Sequence, residues 1–289
     1  MKKLFVFLLS VIVCGMLVGC QFDGMIFNIT EYTYLNSENY IEYSEFVERY
    51  GSETTFKTIN VDWIAGDINI REGNSFDIAE YCEKEDYPPM YALLDGDELT
   101  VKYCKSGMRY MDLNNFSKTL EITVLTVENV KVNVISSDYS IELSDINDIE
   151  VDAVSGDGEV RLKNVKTAKF DLVSGSIDLL ASECEKVKMN TVSGCITVSL
   201  SSVKEVDFDT TSGVVDLTVE SSSALSKIDF NSISGDFTAK LDGLKGFDLS
   251  FDTISGKKNL AFTDGSDHSI DNFKMDFDSI SGNLTVLKL

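Results

Sequence analysis

The chain reads as all-β, a parallel β-solenoid (β-helix) of about 10–12 coils behind a signal peptide and a short tether. Three observations predict this. A motif ending in Ser-Gly recurs at near-constant spacing, apolar residues alternate with period two on both sides of it, and the chain opens on a short apolar run that ends in cysteine.

In chain order, the first element is MKKLFVFLLSVIVCGMLVGC. Two lysines precede an apolar run from Leu4 to Val13, too short for a permanent transmembrane helix and typical of secretion. Leu17-Val18-Gly19-Cys20 matches a lipobox, so residues 1–19 read as a lipoprotein signal peptide and Cys20 as the lipidation site. Its thiol would carry a diacylglyceryl group with acyl chains of the palmitate class, each buried CH₂ worth about 0.8 kcal/mol. An ordinary cleaved signal or an uncleaved anchor is the alternative. Gln21 gives no aspartate-type signal for inner-membrane retention. The expected location is therefore extracytoplasmic and membrane-anchored.

Composition fits an exported body. There are 48 acidic and 25 basic residues, a net charge of −23, which excludes nucleic acid as a partner and opposes lying flat on an anionic membrane.

Residues 20–56 are polar, acidic and rich in tyrosine, and are expected to form a lipidated tether and cap with a short helix over 40–50. A surface strip for stacking carbohydrate is the alternative use of these tyrosines. Residues 57–132 carry irregular β segments at Ile59 to Ile70, Phe76 to Cys82, Glu98 to Cys104 and Leu120 to Val127, expected as coils of the same wall. Pro88 and Pro89 fall in the loop between two of them, where no ladder N–H is lost. A separate β-sandwich in this half is the competing architecture.

Residues 133–289 hold the regular repeat. Its copies begin at Asp152, Asp171, Asn190, Asp209, Asn231, Asp252 and Asp278, with degenerate forms at Asn133 and Asp62. From 133 the steps are 19, 19, 19, 19, 22, 21 and 26, a strict unit with insertions at one place. The insertions, Glu220 to Ser226, Asp242 to Gly246 and Thr263 to Asn272, should bulge from one edge. Each unit has a strand before and a strand after the glycine, as in Ile196, Val198 and Leu200. Stacked at roughly 4.8 Å, the units would lay Val151, Phe170, Met189, Phe208, Phe230, Phe251 and Phe277 in one column. Ser-Gly then reads as a corner, with glycine in the sharp bend and the serine bonding within the turn.

Few residues point to chemistry. The Asp/Asn row that opens the motifs is the best site candidate, because stacked carboxylates repel and Ca²⁺ would relieve them; the structural alternative is side chains bonding their own backbone. Asp264, Asp267 and Asp271, with His268, are weaker metal candidates, lacking the spacing of a calcium loop. A single histidine cannot build a common zinc site or serve several nucleophiles. Ser201 to Lys204 and Ser255 to Lys258 have a catalytic spacing that works on a helix, and here they lie on strand-and-turn units. Cys184 falls on an inward register position and Cys195 on an outward one, so those two are not expected to pair, whereas Cys82 and Cys104 would form a disulfide if successive coils stack them.

The lipobox, the TINVDWIAGDINI and KTLEITV strands and the repeated T-V/I-S-G units resemble the bacterial adhesin-type family of β-strand-repeat (Ser-Gly repeat) envelope lipoproteins, a domain of unknown function. The resemblance implies a right-handed solenoid facing the envelope or the cell surface, and supplies no catalytic motif. Ala65 and Ser137 depart from its Ser-Gly pair. The expected function is a cell-envelope lipoprotein, adhesin-like or scaffolding, without catalysis and without a cofactor. Its partners would be the membrane through Cys20 and a cell-wall or surface polymer or another protein. The alternatives are a structural or envelope-stress role without a ligand, and a β-helix enzyme acting on polysaccharide.

Overall fold

The computed structural model describes residues 25–28, 31–113, 115–243, 247–261 and 273–289. Residues 1–19, Cys20 and the candidates Asp264, Asp267, His268 and Asp271 lie outside the described residues.

The chain is all-β. Among the described residues, eighteen strands join one hydrogen-bonded sheet, and three more (Met25–Asn28, Glu31–Tyr34 and Met108–Arg109) form a small antiparallel sheet at the N-terminal end. Helices are short, Tyr43–Arg49 and Tyr110–Leu113.

Across the regular region each unit pairs in parallel with the next. Asp152 faces Asp171, Asp171 faces Asn190, Asn190 faces Asp209 and Asp209 faces Asn231. The strands after the glycines stack the same way, with Ile177 on Ile196, Ile196 on Val215 and Val215 on Phe237. Period-two patterning puts the alternate apolar residues of both strands inside, and Val151, Phe170, Met189, Phe208 and Phe230 are fully buried. The two strands of a unit share this core: the Phe237 ring lies parallel to that of Phe230 at 4.8 Å. A buried Phe contributes about 1.5–3 kcal/mol, so these columns carry much of the stability.

The glycine corners stack backbone on backbone. A Cβ on Gly194 would overlap the carbonyl oxygen of Gly175, and one on Gly256 would overlap that of Gly282. Two turn chemistries reach this geometry. Gly156, Gly175 and Gly194 take left-handed φ of +123°, +110° and +134°. At Gly213, Gly256 and Gly282 the hydroxyls of Thr210, Thr253 and Ser279 instead accept the glycine N–H, at 2.7, 2.9 and 2.7 Å. The motif serine does not bond within its own turn as expected. Ser155 donates to Ile135 C=O at 3.0 Å, Ser174 to Val154 at 3.1 Å and Ser212 to Val192 at 3.2 Å, so each hydroxyl ties its corner to the neighbouring unit. A second corner repeats at Asp145, Asn164, Glu183 and Ser202, all with φ between 53° and 57°. The Glu220 to Ser226 insertion follows it, as a 3₁₀ turn at Ser222–Ala224.

Both ends depart from sequential stacking. Asn231 faces Asp278 rather than Asp252, and Asp278 faces Asp252, so the last strands, Lys274–Ser279 and Leu284–Lys288, lie between the two preceding units. The Phe column accordingly runs Phe230, Phe277, Phe251, with 5.1 Å between successive rings. At the other end, Thr58–Glu72 lies between Asn129–Ser155 on one side and Glu98–Lys102 with Lys118–Val124 on the other. The segments expected there as coils of one wall are partly antiparallel: Asp77–Cys82 runs against Lys118–Val124, and Tyr91–Asp95 against Glu98–Lys102. Within the expected tether and cap, residues 31–56 pack in part against the core. Tyr32, Tyr34, Phe46 and Phe56 are buried, which removes Tyr32 and Tyr34 from any surface strip for carbohydrate.

Because Phe277 is covered on both sides and Phe251 on one, Phe277→Ala should cost about 3–5 kcal/mol and Phe251→Ala clearly less. Urea denaturation of the two variants reads this difference; sequential stacking would give the reverse.

Candidate functional site

The strand before each corner turns two polar rows away from the apolar core, because residues two apart share a face, and at the N-terminal end Asp62 and Asn133 of these rows are buried. The row nearest the corner mixes acid and amide. Asn133 donates to Asp62 Oδ1 at 2.6 Å, Asn190 to Asp171, and Asn231 to Asp209 Oδ1 at 2.9 Å. The asparagines that interrupt the acidic row are thus its connectors, since a carboxamide offers the donors a carboxylate lacks.

Where no amide intervenes, Asp152 meets Asp171 directly, and lysines of the second row supply the counter-charge. Lys169 bridges Glu150 at 2.5 Å and Asp171 at 2.7 Å, while Lys131 lies 3.3 Å from Glu150 and 3.9 Å from Asp152. Farther along, Lys188 stands 3.6 Å from Asp207 and 3.7 Å from Asp209. Glu150, Asp152 and Asp171 bring carboxylate oxygens within 4.8 Å of one another, a spacing suited to a divalent cation. Lys131 and Lys169 offset part of the repulsion that such an ion would relieve. Burial, then the charges of Glu150 and Asp171, push the Asp152 carboxyl up to about 6, against the pull of Lys131 and Lys169.

Beside this row the corner presents a β-branched ridge, Val154, Val173, Val192, Thr211, Ile233, Ile280 and Ile254, half-buried along most of its length and most open at Val173 (44 %) and Ile254 (80 %). On the strand after the corner, Arg161, Leu180, Ser199 and Glu220 help line a shallow depression of about 390 Å³.

Sequence reasoning missed the buried charges at the N-terminal end. Gly66 lacks a Cβ where the Lys118 backbone passes, and Trp63 Nε1 donates to Lys118 C=O at 3.0 Å. The Lys118 side chain is fully buried, paired with Glu80 at 2.5 Å and donating to the carbonyls of Pro88 (2.9 Å) and Tyr103. Its ammonium lies 4.0 Å from the centre of the Tyr103 ring and 4.9 Å from that of Trp63. Glu80 also accepts the Met90 N–H at 3.0 Å. Burial lowers the Lys118 pKa and raises that of Glu80, each opposed by the partner's charge. A second pair, Lys102 with Asp62, is also buried, beneath the rings of Tyr34 and Tyr40. The advance signal for Lys118 was its place on the period-two face of KTLEITV that also carries Leu120, Ile122 and Val124, whereas Lys102 shares its face of ELTVK with Thr100 and Glu98 and gave none.

The cysteines sort by burial. Cys184 is buried and Cys195 exposed, the orientations expected from their register. Cys82 and Cys104 are free thiols, and the stacking that would bring them together is absent: Asp77–Cys82 pairs with Lys118–Val124, whereas Glu98–Lys102 pairs with Thr58–Glu72 and Tyr91–Asp95. Burial pushes the Cys104 thiol up to about 12. Neither Ser-Lys pair meets as a helix would require: Lys204 binds Glu185 at 2.8 Å, and Ser255 donates to Ile280 C=O at 3.5 Å.

A profile of the family described as Toastrack DUF4097 matches residues 56–288. A search of curated proteins returns no match. Among solved structures, the chain is similar to a "putative adhesin" from Parabacteroides distasonis ATCC 8503, at 14 % identity and TM-score 0.49 over 83 % of this chain and 94 % of that one. It is also similar to a "putative lipid binding protein" from the same strain, at 12 % identity and TM-score 0.45 over 83 % and 94 % of the two chains. A "putative adhesin" from Bacteroides fragilis NCTC 9343 has 12 % identity and TM-score 0.41 over the same shares, 83 % and 94 %. At these values the structural likenesses carry no functional argument.

Two measurements probe the charged rows. The raised Asp152 pKa means the folded state holds a proton that the unfolded state releases, so this contribution is present below about pH 4 and lost as pH rises through about 6. Asp152→Asn should therefore match wild type at pH 4 and exceed it by about 2 kcal/mol at pH 7.5, read by thermal melting across that range. Lys118→Met, which strands Glu80, should cost about 3–5 kcal/mol by urea denaturation, and adding Glu80→Gln should restore part of it.

Proposed function

The chain belongs to the Toastrack family, and from that premise we propose that it is a cell-envelope lipoprotein: a right-handed parallel β-solenoid, anchored through Cys20, that serves as an adhesin-like scaffold without catalysis or cofactor. The observation that carries this reading is the register itself. Units paired residue for residue repeat the same outward groups at a spacing of roughly 4.8 Å, as the Val154 to Ile254 ridge does along the corner. A repeating, rigid surface suits a repeating partner, a cell-wall or surface polymer, or an extended segment of another protein.

The charged rows support a scaffold over a reaction centre. Their acids are bound by lysines and amides of adjacent units, an arrangement that stabilises stacking and leaves those carboxylates engaged. The acidic balance, −23 overall, keeps such a wall solvated and directs it away from nucleic acid. Lipidation at Cys20 would place this body outside the cytoplasm with its first strands near the membrane.

Two assays of the full chain test the reading. Cys20→Ala should move the protein from the membrane fraction to the soluble fraction or the medium; continued membrane association would overturn the lipoprotein assignment. Wild type should sediment with isolated cell-wall material, and Val173→Asp with Ile254→Asp should reduce retention several-fold at unchanged melting temperature. Folded protein that never sediments would favour the structural role without a ligand.

A further inference from the structure

We propose that Lys102 and Asp62 form an autocatalytic isopeptide bond, a covalent strap between the strands Thr58–Glu72 and Glu98–Lys102. The inference rests on the contrast between the two buried lysines. The Lys118 ammonium is held on three sides, by Glu80, Pro88 C=O and Tyr103 C=O, which suits an ion. Lys102 Nζ has one hydrogen-bond acceptor among the described residues, Asp62 Oδ2. Both side chains are more than nine-tenths buried, and the rings of Tyr34 and Tyr40 stand over Nζ at 5.4 and 5.9 Å. Keeping two charges out of water is costly unless hydrogen bonds satisfy them fully, and here only the carboxylate is well satisfied.

Asp62 is also prepared as an electrophile. Lys102 and Asp62 are direct partners on adjacent parallel strands, so the side chains leave the same face side by side. On the far side, Asn133 donates its amide to the other carboxyl oxygen, Oδ1, at 2.6 Å. Oδ1 therefore has a fixed donor where negative charge would develop, as in an oxyanion hole, while Oδ2 faces the amine.

The step balances without an external reagent. Nζ passes one proton to Oδ2, and the freed lone pair attacks Cγ. The tetrahedral intermediate places its charge on Oδ1, held by the Asn133 amide. Nζ then passes a second proton to Oδ2, which leaves as water; one C–N bond forms and one C–O bond breaks. Condensation is unfavourable between free groups in water, but fixed neighbours reach effective concentrations of about 10⁵–10⁸ M. Lysine is the nucleophile, Asp62 supplies both the electrophile and the proton relay, and Asn133 is the oxyanion donor.

Peptide mapping of the full chain by mass spectrometry, under reducing and denaturing conditions, tests the bond. The expected product is a branched peptide joining the Lys102 and Asp62 segments, lighter than their sum by one water, in most molecules. Lys102→Arg, which keeps the charge and removes the nucleophile, should abolish the branched peptide and leave the protein folded. Asn133→Ala should lower the cross-linked fraction several-fold. Separate, unmodified Lys102 and Asp62 peptides from folded wild-type protein, even after prolonged incubation, would overturn the proposal and leave an ordinary buried ion pair.

Discussion

Backbone-to-backbone contact at the glycine corner is the constraint from which the rest of the regular region follows. The carbonyl oxygen of one corner occupies the place a Cβ would take on the next, as Gly175 does for Gly194 and Gly282 for Gly256. Units can approach that closely only in register, and register puts each residue on its counterpart. Apolar positions gain from this, because a column such as Phe230, Phe277 and Phe251 packs ring on ring. Acidic positions lose, because every carboxylate would stand on another. The Asn133, Asn190 and Asn231 amides and the Lys131, Lys169 and Lys188 ammoniums answer that penalty, and the polar face is arranged around their placement.

The ends face a different problem, since a stack of parallel strands must stop somewhere without presenting a sticky edge. At the C-terminal end the strands Lys274–Ser279 and Leu284–Lys288 are tucked inside, between the Gly235 and Gly256 units, and are paired on both flanks. The outermost unit, with strands Asp248–Thr253 and Lys258–Leu260, exposes Asp252, Lys257 and Lys258, charges that discourage further pairing. At the N-terminal end, antiparallel strands and the helix Tyr43–Arg49 close the stack. Closing it buries polar side chains, and the Lys118–Glu80 and Lys102–Asp62 pairs are the consequence. Aromatic rings stand over both ammoniums, Tyr34 and Tyr40 over Lys102 and Trp63 and Tyr103 over Lys118.

The sequence by itself determined what repeats locally. Spacing located the Ser-Gly corners, period two separated inward from outward residues, and register placed Cys184 inside and Cys195 outside, because each follows from residues a few positions apart and from the geometry of a strand. Only the tertiary structure decided which unit lies beside which. SFDTISG and DFDSISG are interchangeable as strand signals, since a parallel ladder is made by backbone groups that carry no label, and the order Phe230, Phe277, Phe251 is set by how the last segment folds back. The serine hydroxyls were likewise legible as corner residues but not as bonds between units, since their acceptors lie 20 positions away, as Ser174 to Val154 shows. The buried lysines were the least legible of all: a lysine on a strand is ordinarily solvated, and what makes Lys118 and Lys102 exceptional is a cage assembled from residues scattered between 32 and 133.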